Sequence, residues 1–277
     1  MNMPREQHTI ASLARLYLQH ASLLAKANLA RRNTLVTISF AVLFRELLNV
    51  AVAWVLVARF GTIQGWTVDE LMFSYSFLFL SYALVALLFT GVRDFDAEVS
   101  EGECDGYLVK PLGVLFQVIA RKADLAATLG HGLLGVALFV FAARRVQVTW
   151  TSWYVLYAAL SVLGGTLIQA SILLVSAAIS FWTIRTTNLR NLIFFNLRRC
   201  AGFPLSVYPP VLRFLSVYVI PFAFVNYFPA QFLLGKNDGY LTPWIFAYAA
   251  PLVGMTMFAL SLLVWDKGLS RYSSAGN

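Results

Sequence analysis

Charge is scarce in this sequence. Of its 277 residues, 12% are charged and 59% are hydrophobic, whereas a soluble domain carries roughly 25% charge. Water does not accept that balance without a bilayer or a very large interface. No stretch between the apolar runs is long enough for a soluble core, so one polytopic membrane domain spanning 1–277 is expected. Cysteine is scarce too. Cys104 and Cys200 are too few for a disulfide framework, and with His8, His20 and His131 scattered they form no metal-ligand set. No G-x-x-x-x-G-K-[ST] occurs, so the chain has no ATP-binding loop of its own. No H-E-x-x-H occurs, and no Ser/His/Asp grouping falls at one membrane depth, which leaves an intramembrane enzyme without a catalytic set. Internal repeats, low-complexity tracts and linkers are missing. The first thirty residues lack the short apolar core and small-residue site of a cleaved signal.

What is present is oil arranged in runs. A helix needs about 20 residues to cross hydrocarbon. Six stretches qualify, at about 34–58, 70–92, 123–143, 151–181, 204–229 and 243–265. The expected fold is therefore all-α with six membrane spans. The fourth is long enough to tilt or to extend past the membrane. The fifth holds Pro209, Pro210, Pro221 and Pro229 and is not expected to be one straight rod. Its second half reads as a broken or re-entrant piece, with Pro221, Asn226, Tyr227 and Pro229 as outer-gate candidates. Before the first span, residues 8–30 repeat apolar side chains at three- and four-residue steps (Ile10, Leu13, Ala14, Tyr17, Ala21, Leu24), with Arg15, Gln19, Ser22 and Lys26 opposite. That pattern predicts an amphipathic helix on the membrane surface, closed by Arg31-Arg32 facing lipid phosphates.

The net charge of +8 comes from Lys and Arg flanking the spans, and it is read as orientation rather than nucleic-acid binding. With both termini in the cytoplasm, sixteen of the 21 Lys and Arg lie inside, and both cysteines lie on that side. Arg59, Arg144, Arg145 and Lys236 lie outside, and Arg45 lies within the first span. Trp66, Trp150, Trp153, Trp182, Trp244 and Trp265 fall near span ends, where an amphipathic ring is stable; Trp54 lies within a span. Arg185, Arg190, Arg198 and Arg199 read as an inner-surface helix touching headgroups.

Three features carry functional expectations. Arg45 and Glu46 sit inside the first span with Asn49 close by; charges there are expensive and mark a candidate substrate path or subunit interface. Adjacent helical residues point about 100° apart, so the two are expected to find partners elsewhere rather than each other. Gly164-Gly165, with Gln169, suits close helix packing in the fourth span. The third feature is the connector 93–122, which gathers six of the thirteen acids: Asp94, Asp96, Glu98, Glu101, Glu103 and Asp105. Phe95 and Val99 share a helical face there, with acids around them, and Gly102 and Gly106 turn the chain. The residues alone suit either a solvated connector or a docking surface.

A resemblance weights the second. Ser100-x-Gly102-Glu103-x-Asp105-x-Tyr107-Leu108-x-Lys110-Pro111-Leu112 resembles the S-G-E-L-D-x-L-L-x-R-P-L loop of bacterial ABC-2 type permeases. Gly65-Trp66-Thr67-x-x-Glu70 is similar to that family's G-W-[ST]-x-x-E. Ile220-Pro221-Phe222-Ala223-Phe224 with Asn226-Tyr227-x-Pro229-Ala230 is similar to its I-P-[LF]-A-F-x-x-Y-x-P-A. The likeness covers nearly the whole chain. Glu101 is an extra residue, and Lys110 stands where Arg is common, which weakens any bidentate contact. The resemblance implies six spans per subunit and two permease subunits, alike or different. It implies a bacterial inner-membrane exporter driven by cytosolic P-loop ATPase subunits that hold the ATP and Mg. The first cytoplasmic loop would sit in an ATPase cleft, so Glu98, Glu101, Gly102, Glu103, Asp105, Leu108, Lys110 and Pro111 are the implied coupling residues. The alternative is a non-transporting membrane scaffold or sensor that docks a soluble partner through the same loop. An ion-coupled carrier is disfavoured, because Glu46 is the one clear carboxylate within a span. The substrate stays open.

Overall fold

The computed structural model describes residues 10–183, 186–236 and 244–272. Residues 8–9 of the surface helix, Arg185 and 237–243 lie outside the described residues. Among those described the fold is all-α, with a single isolated bridge at Ile63–Trp66. The surface helix α1 (Ile10–Ala30) leads into α2 (Arg32–Phe60). Then follow α3 (Val68–Leu88), α4 (Thr90–Ser100), α5 (Asp105–Leu108), α6 (Val114–Arg121), α7 (Leu125–Arg145) and α8 (Ser152–Ile179). The last third holds α9 (Thr187–Arg190), α10 (Leu197–Cys200), α11 (Pro210–Phe214), α12 (Tyr227–Leu233) and α13 (Ala250–Leu269). Five of these helices (α2, α3, α7, α8 and α13) are long and apolar enough to cross a membrane. The pair Pro210–Val219 and Phe222–Leu233, bent by 70°, is apolar and long enough to make a sixth as a broken span or to form a re-entrant loop.

Local chemistry sets the helix starts. Thr67 and Glu70 close a capping box: Thr67 Oγ1 accepts from the Glu70 amide at 3.4 Å, and Glu70 Oε2 accepts from the Thr67 amide at 2.7 Å. The Thr-x-x-Glu spacing thus has a physical meaning. Asp124 caps α7 by accepting from Ala127 N at 2.9 Å, and Thr151 caps α8 by accepting from Tyr154 N at 3.3 Å.

Helix α3 packs against α7 and α8, α13 packs against α8, and α2 against α7. The buried rods are α3 and α8, while α2 and α13 keep most of their surface exposed. That surface is apolar (Phe40, Leu48 and Val52 on α2; Leu252, Leu260 and Leu263 on α13), as a bilayer or a neighbouring subunit requires. The expected role of Gly164 is met at the α8–α13 crossing. A Cβ on Gly164 would lie 2.6 Å from the Ala250 oxygen, and one on Gly254 would lie 2.5 Å from the Gly164 oxygen. The backbones approach too closely for any side chain there.

Two expectations are corrected by the packing. Trp66 and Trp265 sit near helix ends but are 1% exposed. Trp265 packs between Phe95 and Phe181, and Trp66 meets Tyr227 with ring centres 5.5 Å apart in a tilted pair. They are core residues rather than surface anchors. The segment after α8 is not an inner-surface helix either. It runs alongside α3: Arg190 reaches Asp96 of α4, Phe194 meets Tyr82 at 6.0 Å, and Gly202 lies so near Tyr75 that a Cβ would be 2.1 Å from its hydroxyl. Ionic and aromatic partners inside the bundle hold it there.

The proline-rich stretch breaks where expected. A π-helical turn over Leu215–Val219 ends before Pro221, a 3-10 turn follows over Phe222–Phe224, and α12 begins at Tyr227. Pro221 has no N–H to continue the turn, while Pro229 sits in the first turn of α12, where none is needed.

Candidate functional site

After a break at Phe89, α3 continues as α4, and 90–122 folds into a small braced knot. Phe95 (0% exposed) and Val99 do share one face, but that face is the interior. The acids divide between inside and outside. Asp96 is buried and accepts from Thr187 Oγ1 at 2.6 Å and from Arg190, whose same nitrogen also donates to the Arg93 carbonyl. Glu98 is buried beside Arg121 (3.0 Å) and Lys122 (3.0 Å), and it accepts from Tyr107 Oη at 2.6 Å. Arg121 donates in turn to Tyr107 Oη at 2.6 Å and to Glu103 at 3.1 Å. Gln117 Nε2 donates to the carbonyls of Tyr107 and Leu112 at 3.0 and 2.7 Å. Asp105 accepts from Tyr272 Oη at 3.1 Å, which ties the knot to the residue after α13.

Of the eight coupling candidates, Glu98 is thus internal, and Glu103 and Asp105 are held by Arg121 and Tyr272. Glu101, Gly102, Leu108, Lys110 and Pro111 are exposed, with Gly102 at φ 77° turning the chain. Val109, which the sequence reading passed over, is the most exposed apolar residue of the tip at 78%, with Leu108 at 50%. The knot presents a short apolar prominence ending in Lys110-Pro111.

Burial, reinforced by the bond to Glu98, pushes the Tyr107 hydroxyl up to about 12. Burial, then the charge of Asp105, pushes the Cys104 thiol up to about 11 from 9.0. A raised thiol pKa keeps the neutral form in the folded knot until pH climbs through that value. In a Cys200→Ser background at pH 8, Cys104 is expected to react with iodoacetamide about a hundredfold more slowly than in SDS-denatured chain. Mass spectrometry reads the rates; equal rates would show that the knot is open.

The second cluster lies mid-span on α2. Arg45 and Glu46 pair with each other, against expectation: Arg45 Nε and Nη2 donate to Glu46 Oε1 at 3.1 and 2.7 Å. A guanidinium arm is long enough to swing back over the 100° offset. Asn49 Nδ2 donates to Glu46 Oε2 at 3.2 Å. Across the helix interface, His131 Nε2 of α7 lies 3.4 Å from Glu46 Oε1. Arg198 of α10, expected at headgroups, is buried with its guanidinium 3.7 Å over the Tyr82 ring.

The third group is packed rather than open. Asn226 (1% exposed) donates to Ser74 Oγ at 2.9 Å and to the Ala201 carbonyl at 2.6 Å. Lys236, which the sequence reading counted only as an outside charge, donates to Glu70 at 2.8 Å and to the Gly65 carbonyl, clamping the end of the broken span to the α3 capping box. Among the described residues no cluster of His, Cys, Asp and Glu could hold a metal ion.

Residues 41–276 match a family model described as ABC-2 family transporter protein. Searches of curated proteins and of solved structures give no match.

Proposed function

The chain belongs to the ABC-2 transporter family, and from that premise we propose that it converts ATP hydrolysis on a separate cytosolic ATPase into movement of a substrate across the membrane. Membership makes it a multi-pass permease component of an ABC transporter. The finer reading is an exporter subunit in a bacterial inner membrane, with both termini on the ATPase side. Two permease subunits, identical or different, complete it, and two ATPase copies hold the ATP and Mg. The observation that carries the coupling role is the combination of an exposed apolar tip, Leu108 to Pro111, with a rigid knot behind it.

The mechanism is mechanical. Closure of the ATPase dimer shifts the cleft that holds the tip. Tyr107, Glu98 and Arg121 keep the tip from folding back, so displacement reaches α4 as a rigid body. Helix α4 then pulls on two elements at once. It is the continuation of α3, and through Asp96 it grips Arg190 and the run leading into the broken fifth span. A packed bundle held by such links switches between discrete arrangements rather than deforming smoothly. Arg45, Glu46 and Asn49 border the moving segment through Arg198, consistent with a role at the path or at the subunit interface.

Co-purification with a P-loop ATPase, followed by hydrolysis measurements in liposomes, tests the proposal. Lys110→Gln with Asp105→Asn is expected to lower ATPase activity of the assembled complex several-fold. Intact assembly with unchanged hydrolysis and transport would overturn the contact role. Recovery of a soluble regulator in place of an ATPase would favour the scaffold reading.

A further inference from the structure

The cluster in the middle of the bundle leaves one buried cation without a hydrogen-bonded anion among the described residues. The oxygens of Glu46 are already engaged: Oε1 accepts twice from Arg45 and meets His131 Nε2 at 3.4 Å, and Oε2 accepts from Asn49. A carboxylate offers about four acceptor sites, so little capacity remains. His131 Nδ1 lies 2.8 Å from the Ala127 carbonyl, which only accepts, so that nitrogen carries a proton. Its Nε2 faces the Glu46 carboxylate at 3.4 Å without a hydrogen bond among the described residues. No hydrogen bond from a further guanidinium reaches Glu46 among the described residues.

Arg198 is the orphan. It is 9% exposed, and its Nε and Nη2 donate to no group among the described residues. Its guanidinium sits 3.7 Å over the Tyr82 ring, and it lies within electrostatic reach of Glu46, Arg45 and Arg199. A ring face offsets only part of the cost of burying a guanidinium away from water. Three guanidinium groups here share one carboxylate. Arg45 marks the open edge, with its side chain 63% exposed although it lies next to the midpoint of α2. Ile38, Leu48 and Val52 lie at helical steps from Arg45 and are exposed, so the edge continues as an apolar rail along the same helix face.

We propose that Arg198 and Arg45 form an anion site within the bundle that takes the phosphate or carboxylate head of an anionic amphiphile, whose tail lies along Ile38, Leu48 and Val52. A planar guanidinium fork suits a phosphate or carboxylate, and a buried one strengthens the contact. The rail argues for a ligand with a chain rather than a free ion. The inference rests on the permease reading only for what the bound molecule is used for.

The test is native mass spectrometry of the full chain purified in dodecyl maltoside, which needs no ATPase. Dodecyl phosphate is expected to bind at least tenfold more tightly than dodecyltrimethylammonium. Arg198→Gln and Arg45→Gln each weaken it about tenfold, Arg198→Lys weakens it less, and Arg59→Gln, an exposed charge elsewhere on α2, has no effect. Phosphatidylglycerol that co-purifies with the wild type and is lost from Arg198→Gln identifies a resident lipid. Dodecyl phosphate bound with no retained lipid identifies a mobile amphiphile. Both outcomes support the site. Inorganic phosphate binding as tightly as dodecyl phosphate would overturn the amphiphile assignment. Equal affinity for both detergent probes, or glutamine variants without effect, would overturn the site itself. If Arg198→Gln does not fold, Arg45→Gln decides alone, because Arg45 is exposed. Failure here leaves the coupling proposal standing, and failure of the ATPase experiment leaves this one standing.

Discussion

Asp96→Ala should cost about 3–5 kcal/mol of stability, the range for removing one partner of a buried ion pair. Asp96 is 3% exposed at its side chain and Arg190 15%, so the variant strands a guanidinium beside α4. It also frees the Thr187 hydroxyl and removes one of the two acceptors at Arg190 Nη1. The thermal midpoint of the purified chain should fall by about 10 °C. Arg190→Ala should do similar damage, and the double variant should lose clearly less than the two losses added, because the pair is removed once. A full sum would mean that the two residues act separately. Asp96→Asn has a second readout: an assembled complex that still binds its ATPase but transports less. A variant with unchanged midpoint and unchanged transport would show that α4 does not drive the α9–α10 run.

That link is also where sequence reasoning stopped. The straight spans were legible because each is apolar over roughly the length that hydrocarbon demands, and their ends shifted by only a few residues where Thr67, Asp124 and Thr151 act as caps. Four prolines announced the break in the fifth span, but not the route of the chain before it. The route depends on partners far away in sequence: Arg190 finds Asp96 across 94 residues, and Asn226 finds Ser74 across 152. In a window of sequence, a guanidinium stacked on Tyr82 looks the same as one at the surface, so Arg198 alone suggests a headgroup contact. Cβ directions alone set Arg45 and Glu46 apart, and the reach of the arginine arm brings them together. In the loop, the acidic run was visible but its division was not. Asp96 and Glu98 turn inward because Arg190, Arg121 and Lys122 wait there, and two of those bases stood at the far end of the same connector. The family-like motif Thr67-x-x-Glu70 was recognised as a pattern, and its chemistry became plain once both capping bonds and the Lys236 clamp were in view.

Leu108→Asp combined with Val109→Asp should abolish coupling while leaving the fold intact. Both side chains are exposed, at 50% and 78%, so neither carries core packing. Surface changes of that kind stay within about 0.5 kcal/mol of wild-type stability. In a closed apolar cleft the same carboxylates would each lose their hydration, at a penalty of several kcal/mol per ion. The double variant should therefore keep its thermal midpoint, lose co-purification with the ATPase by at least tenfold, and drop transport to background. Arg144→Gln, an exposed charge outside the loop, is the control and should change binding less than threefold. Charge reversal at the rim alters encounter rates more than affinity, so an effect confined to association rate would place the contact on the acids rather than on the apolar tip. A double variant that still assembles and still transports would mean that the prominence points into water during turnover, and the ATPase contact would have to be sought elsewhere on the chain.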